Sequence, residues 1–356
     1  MKAILDKICR PCRSVTDQFI IAAFLSVVLL VVGQLFSAAV LRMIDFTAKA
    51  SAYLGSDNIG AFLYQYLMFF GMWISILLVT IIFRKNRPML RSFLPNRRGN
   101  NLKGILAGLL LGFLTNGFCI LMSALGGHIK LSYAGFNPLV SLMFLGAIFI
   151  QSGAEEIVDR FYLYQKLRRR YRSPLVAIIV NSAVFMSLHM ANPGFTPVAG
   201  SQIFLVGVVF SVIVYYYDSL WAAMWFHTAW NYTQNIIFGL PNSGIVSEYS
   251  IFRLEAASAT NGFFYNVDFG VEGSIGASIV LVVLLIAIII KNWKKPEKFD
   301  CWAHAEELAT GSAEFSVQTD ASDSTAGNPS DSTAGNPPDS TAEKAVIDDS
   351  DYVPKH

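Results

Sequence analysis

Eight apolar runs set the narrowest limit on how this 356-residue chain folds: 19–40, 61–83, 105–125, 139–152, 174–190, 203–217, 220–240 and 274–290. A bilayer core of about 30 Å is crossed by ~17–25 helical residues. With no water there to satisfy backbone N–H and C=O groups, only helices or closed barrels span it. Several runs fall near the lower length limit, so their ends are soft. The expected fold class is all-α, a polytopic transmembrane helix bundle of about eight spans. Composition agrees: 54% of residues are hydrophobic and 15% charged, against roughly 45–50% and 25% in soluble domains. The net charge of +2 says little because the charges are segregated. The expected surroundings are the lipid bilayer, and no nucleic-acid partner is expected.

The first run follows Lys2, Lys7, Arg10 and Arg13 and exceeds the 7–15 residues of a signal-peptide core, so it reads as a retained helix. Basic residues crowd three other places. Arg84, Lys85, Arg87, Arg91, Arg97, Arg98 and Lys103 follow the second run. Lys166, Arg168, Arg169, Arg170 and Arg172 follow the fourth, and Lys291, Lys294, Lys295 and Lys298 follow the last. With eight spans and an inside N-terminus, all three clusters fall inside, as the positive-inside rule requires. The expectation is a multi-pass protein of a bacterial cell membrane with both termini cytoplasmic.

The chain divides into a cytoplasmic N-terminus (1–18), N-terminal helices (19–135), a polar-intruded set of helices (136–240), an outer loop with the last helix (241–298) and a tail (299–356). From Asp323 the tail repeats DSTAGNPS, DSTAGNPP and DSTAEK. Such residues bury too little apolar surface to offset chain entropy, and the tail is expected to be disordered. The acidic pair Glu306-Glu307 has no apolar helix around it and carries no catalytic weight. Cys9 and Cys12 form a CxxC without the further ligands that a zinc site needs.

Three polar intrusions interrupt the helices of 136–240. The first is Gly153-Ala154-Glu155-Glu156-Ile157-Val158-Asp159-Arg160. An ionisable residue inside a span costs roughly 2.5–3.5 kcal/mol on the lower scale, and reads as functional. Glu156 and Arg160 are four apart in the favourable order, so Arg160 can neutralise Glu156. Glu155 is left on a neighbouring face, four residues from the like-charged Asp159. The second intrusion is His189, with Phe185 four residues before it and Asn181 eight before it. The third is a stripe of His227, Asn231 and Asn235.

Counting from a turn near 171–173, Glu155 and His189 each lie about 17 residues away. At ~1.5 Å per residue they are level, provided that the fourth helix continues to about Arg170 with its last turns in water. A carboxylate and a histidine sharing one water make a general-base site for hydrolysis. A His/Asn pair four apart offers two donors to an oxyanion, each worth ~10²–10³ in rate in comparable sites. Peptide hydrolysis is then chemically complete without a serine or cysteine nucleophile, and no cofactor is required. Zinc is the runner-up cofactor, with Glu155, His189 and His227 as ligands, although HExxH spacing is absent. The alternative of a different class is a transporter or scaffold using the cluster as proton relay or polar packing, against which no internal hydropathy repeat is visible.

Glu155-Glu156…Arg160, Phe185…His189 and His227…Asn231 (EExxxR, FxxxH, HxxxN) resemble the CAAX prenyl protease type II and bacteriocin-processing (CPBP) family of intramembrane glutamate proteases, including lysostaphin-resistance-protein-A-like members. The resemblance covers about 136–240. It implies that Glu155 and His189 activate a water while His227 and Asn231 hold the oxyanion, with Glu156, Arg160 and Phe185 in support. It also implies a metal-independent mechanism, a peptide or membrane-protein substrate, and roles in peptide maturation or bacteriocin immunity. Where the family has Phe before the motif arginine and Gly after it, this chain has Asp159 and Phe161.

Overall fold

Short polar residues start most of the helices. In the computed structural model, which describes residues 6–294, 299–303 and 306, the chain forms eleven α-helices and a two-stranded sheet. They are α1 (Phe19–Met43), α2 (Phe46–Leu54), α3 (Asp57–Leu67), α4 (Phe70–Ile82), α5 (Leu102–Leu125), α6 (Pro138–Glu156), α7 (Tyr164–Arg170), α8 (Pro174–Leu188), α9 (Pro197–Tyr217), α10 (Leu220–Tyr232) and α11 (Ile275–Asn292). Side chains of Ser56, Asn101, Asn137, Thr196, Ser219 and Ser274 each accept an N–H of the first turn of α3, α5, α6, α9, α10 and α11. Each cap satisfies a donor that would otherwise be orphaned. Proline opens α6, α8 and α9, where its missing N–H costs nothing.

Every one of the eight expected spans coincides with helix. Six stretches are long and apolar enough to cross a bilayer: α1, α3–α4 together, α5, the rod 138–170, α9 and α11. The shorter α8 fills the place of the fifth span, and α10, prolonged by a π-helical turn at Thr233–Ile237, that of the seventh. The second span is broken at residues 68–69 into α3 and α4, and α2 is a short helix that hydropathy did not predict. Strand β1 (Leu131–Tyr133) pairs antiparallel with β2 (Phe252–Leu254), Leu131 opposite Leu254, and ties the third connection to the long loop before α11.

Helix α10 is held close to α5 by a stripe of small residues. A Cβ at Gly108 would strike the Ala222 carbonyl, and one at Gly112 the Phe226 carbonyl. Backbones approach this closely in membrane bundles only where glycine or another small residue allows it. The stripe thereby sets the depth and rotation of α10, the helix that carries His227 and Asn231. The basic clusters share one end of the bundle: Arg169 donates to the Lys85 carbonyl, and the Arg98 guanidinium lies 5.6 Å from the Phe299 ring.

Residues 299–303 correct the expected start of the disordered tail. Trp302 is buried, with its indole N–H on the Gln165 carbonyl at 2.9 Å and Arg169 over its ring. Asp300 pairs with Arg10 and with Arg168, and Glu306 lies 3.4 Å from Arg10. Glu307 and the DSTAGNP repeats lie outside the described residues. Cys9, Cys12, Cys119 and Cys301 are free thiols.

Asp218, in the two-residue turn between α9 and α10, takes the left-handed conformation (φ 50°) that aspartate tolerates better than most residues. Burial pushes its carboxyl from 3.8 up to about 7, with Arg98 opposing. The folded state therefore holds the proton more tightly than the unfolded chain. The associated stability is full below about pH 4 and is lost as pH rises through about 7. Asp218→Asn is expected to raise the thermal midpoint at about pH 8 and leave it nearly unchanged at about pH 4. Equal shifts at both pH values would contradict this.

Candidate functional site

Helix α6 does not end at Glu156. Residues Ile157–Leu163 continue it as a π-helical turn and α7 carries it to Arg170, making one rod of 33 residues. The expected continuation is present, but its last turns are not in water. Every residue of the π turn is buried, and so are Lys166, Arg168 and Arg169. The N-terminal segment and residues 299–303 cover them. Asp17 pairs with Lys166 at 3.1 Å and with Arg169, and Asp300 with Arg168 at 3.1 Å. π turns widen a helix by one residue and recur at functional sites.

Glu156, just before that turn, and Arg160, within it, form an ion pair at 3.0 Å with both side chains 0% exposed. A solvated helix end is therefore excluded for this pair. The same Oε1 of Glu156 accepts from His227 Nδ1 at 3.0 Å. The Arg160 guanidinium lies 4.4 Å from the centre of the Phe185 ring and 5.2 Å from that of Phe210. Phe185 also contacts the rings of His189 (4.7 Å) and His227 (5.9 Å). Phe185 thus packs against the buried cation and against both imidazoles.

Glu155 takes a different environment. Its side chain is 14% exposed and lines a cavity of about 360 Å³ that is also lined by His189, His227 and Asn231. Glu155 Oε1 accepts from Gln151 Nε2 at 2.5 Å, and Oε2 lies 3.7 Å from His227 Nε2. His189 Nδ1 lies 2.8 Å from the Phe185 carbonyl. A carbonyl only accepts, so Nδ1 carries the proton and Nε2 is the basic nitrogen. Glu156 fixes His227 likewise through Nδ1, which turns Nε2 towards Glu155.

Gln151, Asn242 and Glu272 are polar residues of this cavity that the sequence did not single out. Asn231 Nδ2 donates to Gln151 Oε1 and Ser152 Oγ, both at 3.3 Å, while its Oδ1 accepts from Asn242 Nδ2 at 3.1 Å. Asn242 also donates to Glu272 Oε1 (3.3 Å). Glu272 is fixed by Trp230 Nε1 (3.0 Å) and by the N–H and hydroxyl of Ser243 (2.7 and 2.6 Å). This chain of donors holds the Asn231 amide with its NH₂ towards α6. Gln151 stands four residues before Glu155, a spacing readable in the sequence. Asn242 and Glu272 come from the long loop, where no periodicity points to them. Gln34, Gln65 and Tyr66, from α1 and α3, complete the opposite wall.

Asn235 and Asn181 are structural. Asn235 binds the Leu240 and Ile245 carbonyls (3.1 and 3.0 Å) and accepts from Tyr66, and Asn181 bonds to its own helix and to Ser211. Among the described residues no three His, Cys, Asp or Glu side chains converge as a metal-ligand group.

Asp159 is buried in the π turn, and neither carboxyl oxygen has a hydrogen-bond partner among the described residues. Leaving a buried polar group unsatisfied costs about 1–3 kcal/mol. Asp159→Ala, which removes the carboxyl without adding volume to the buried turn, is expected to stabilise the protein by about that amount, measured as a higher thermal midpoint in detergent. A lowered midpoint would show that the carboxyl has a stabilising partner.

A helical membrane bundle with a buried Glu–Arg pair behind a cavity of Glu, two His and Asn is the class that the fold and this geometry define. Residues 137–233, which carry Glu155, His189, His227 and Asn231, match the family model Rce1-like, described as type II CAAX prenyl endopeptidase Rce1-like. The match agrees with the resemblance carried by the three motifs, and it makes the cavity-building segment similar to CAAX-type membrane endopeptidases. No curated protein and no solved structure matches the chain.

Proposed function

We propose that the protein is a membrane-embedded endopeptidase that hydrolyses peptide bonds with a water activated by Glu155 and His189. The observation that supports this most is the single cavity onto which Glu155, His189, His227 and Asn231 all open. Glu155 takes the water proton while His189 Nε2 accepts the second hydrogen bond, which orients the water for attack on the scissile carbonyl. His227 Nε2 and Asn231 Nδ2 are the donors to the oxyanion as it forms. Glu155 then passes its proton to the leaving amine. Glu156 and Arg160 keep the charge balanced behind the site and hold His227 through Nδ1. A volume of about 360 Å³ lies within the usual range of ligand pockets, ~300–1,000 Å³. It suits a few residues of extended peptide. The biological setting proposed with it, peptide maturation or bacteriocin immunity, rests on the resemblance.

The reaction so written uses no metal. Membrane peptides from cells carrying the native chain, compared with cells carrying Glu155→Gln, should contain cleavage products that are absent from the variant. Cleavage by the purified protein in proteoliposomes should survive zinc chelators. Loss of activity on chelation with recovery on added zinc would support the metal reading instead. A Glu155-dependent ion flux without cleavage would make the protein a transporter.

A further inference from the structure

A second cavity, about 450 Å³, lies between α5, α9 and α11 at the basic end of the bundle, apart from the Glu155 site. Its walls are apolar: Leu111 of α5, Ile213 of α9, and Leu284, Ala287 and Ile288 of α11. Its mouth carries Arg97, Arg98, Lys103 and Lys291, all exposed, and among the described residues no aspartate or glutamate lines it. Among the described residues none of these four cations has an ion pair, whereas Arg10, Arg13, Arg160, Lys166, Arg168, Arg169 and Arg172 all do. Asp218, in the turn before α10, is buried and does not line the groove.

The depth of the groove follows from its helices. From Lys103 to Leu111, and from Lys291 to Leu284, α5 and α11 run about 10–12 Å. An anion held at the mouth would therefore have an apolar channel of that length leading from it towards the bilayer centre. Basic pockets between transmembrane helices select anionic lipid headgroups, each Lys or Arg near the surface contributing about fivefold in affinity. A soluble anion would use the cations and leave the channel wet. A zwitterionic lipid would fill the channel but bring its own cation against four others.

We propose that this groove binds one anionic phospholipid, its phosphate among Arg97, Arg98, Lys103 and Lys291 and an acyl chain along Leu111, Ile213 and Leu284. The full chain, purified in a non-ionic detergent, is titrated with phosphatidylglycerol or phosphatidylcholine and the adducts are read by native mass spectrometry. One tightly held phosphatidylglycerol per chain is expected, with phosphatidylcholine at least about tenfold weaker. Neutralising three cations together (Arg97→Gln, Lys103→Gln, Lys291→Gln) should weaken phosphatidylglycerol on the order of 100-fold. Ala287→Phe, which fills the channel at an exposed position without changing charge, should weaken it as well. The control Arg84→Gln/Lys85→Gln/Arg87→Gln, elsewhere at the same end, should not. Equal retention of both lipids would overturn the proposal, as would undiminished binding in both groove variants. Displacement of the lipid by millimolar inorganic phosphate alone would reduce the groove to a simple anion site.

Discussion

Glu155→Gln is expected to lower peptide hydrolysis by roughly 10²–10⁴-fold, the usual contribution of a positioned general base. The carboxamide has the same shape and its oxygen still accepts from Gln151, the partner that Glu155 has at 2.5 Å. It cannot take a proton from water. Because the side chain opens onto the cavity, the change leaves no buried charge behind, and the thermal midpoint should move little. Initial rates on a cleaved peptide, together with a melting curve, check both halves. Activity within tenfold of native would remove Glu155 from the chemistry.

Arg160→Met is expected to be the most destabilising single change at the site, by about 3–5 kcal/mol, because it leaves Glu156 charged and fully buried without its partner. Replacing both members by apolar residues, Glu156→Leu with Arg160→Met, should recover most of that loss, since a buried pair repays little more than its own desolvation. Hydrolysis should not recover with it, because His227 Nδ1 would have lost its acceptor. Thermal midpoints and cleavage rates of the three variants separate the two roles. A stable and fully active double variant would show that the pair serves stability alone.

How far the sequence reaches is clearest in the helices. Length and hydropathy located the helices, six stretches of which are long and apolar enough to cross a bilayer, because the bilayer admits so few backbone solutions. Four-residue spacing anticipated the Glu156–Arg160 contact and put His227 and Asn231 on one face. The same arithmetic made Asp159 a like-charged neighbour of Glu155, and Glu155 is among the charges that act on it. It gave no sign of the π turn that starts at Ile157, in which the carboxyl is buried without a hydrogen bond. Nor could it find Asn242 and Glu272, whose place beside Asn231 depends on the path of an aperiodic loop. The basic end of the rod looked solvated because the residues that cover it, Asp17 and Asp300, lie far away in the chain.

That covering also places the site in time as well as in space. Arg10, near the start of the chain, and Arg168, on the rod that carries Glu155, meet on a single carboxylate, Asp300. Segments are made and inserted in order from the N-terminus. Two arginines are therefore already side by side when the last helix enters the membrane, and they repel until the residues after it arrive. Asp17 fastens the end of the rod through Lys166 and Arg169, and Asp300, made after the last helix, adds the fastening of Arg168. A chain interrupted before Asp300 would carry Glu155, His189, His227 and Asn231 on a rod fastened from one side only.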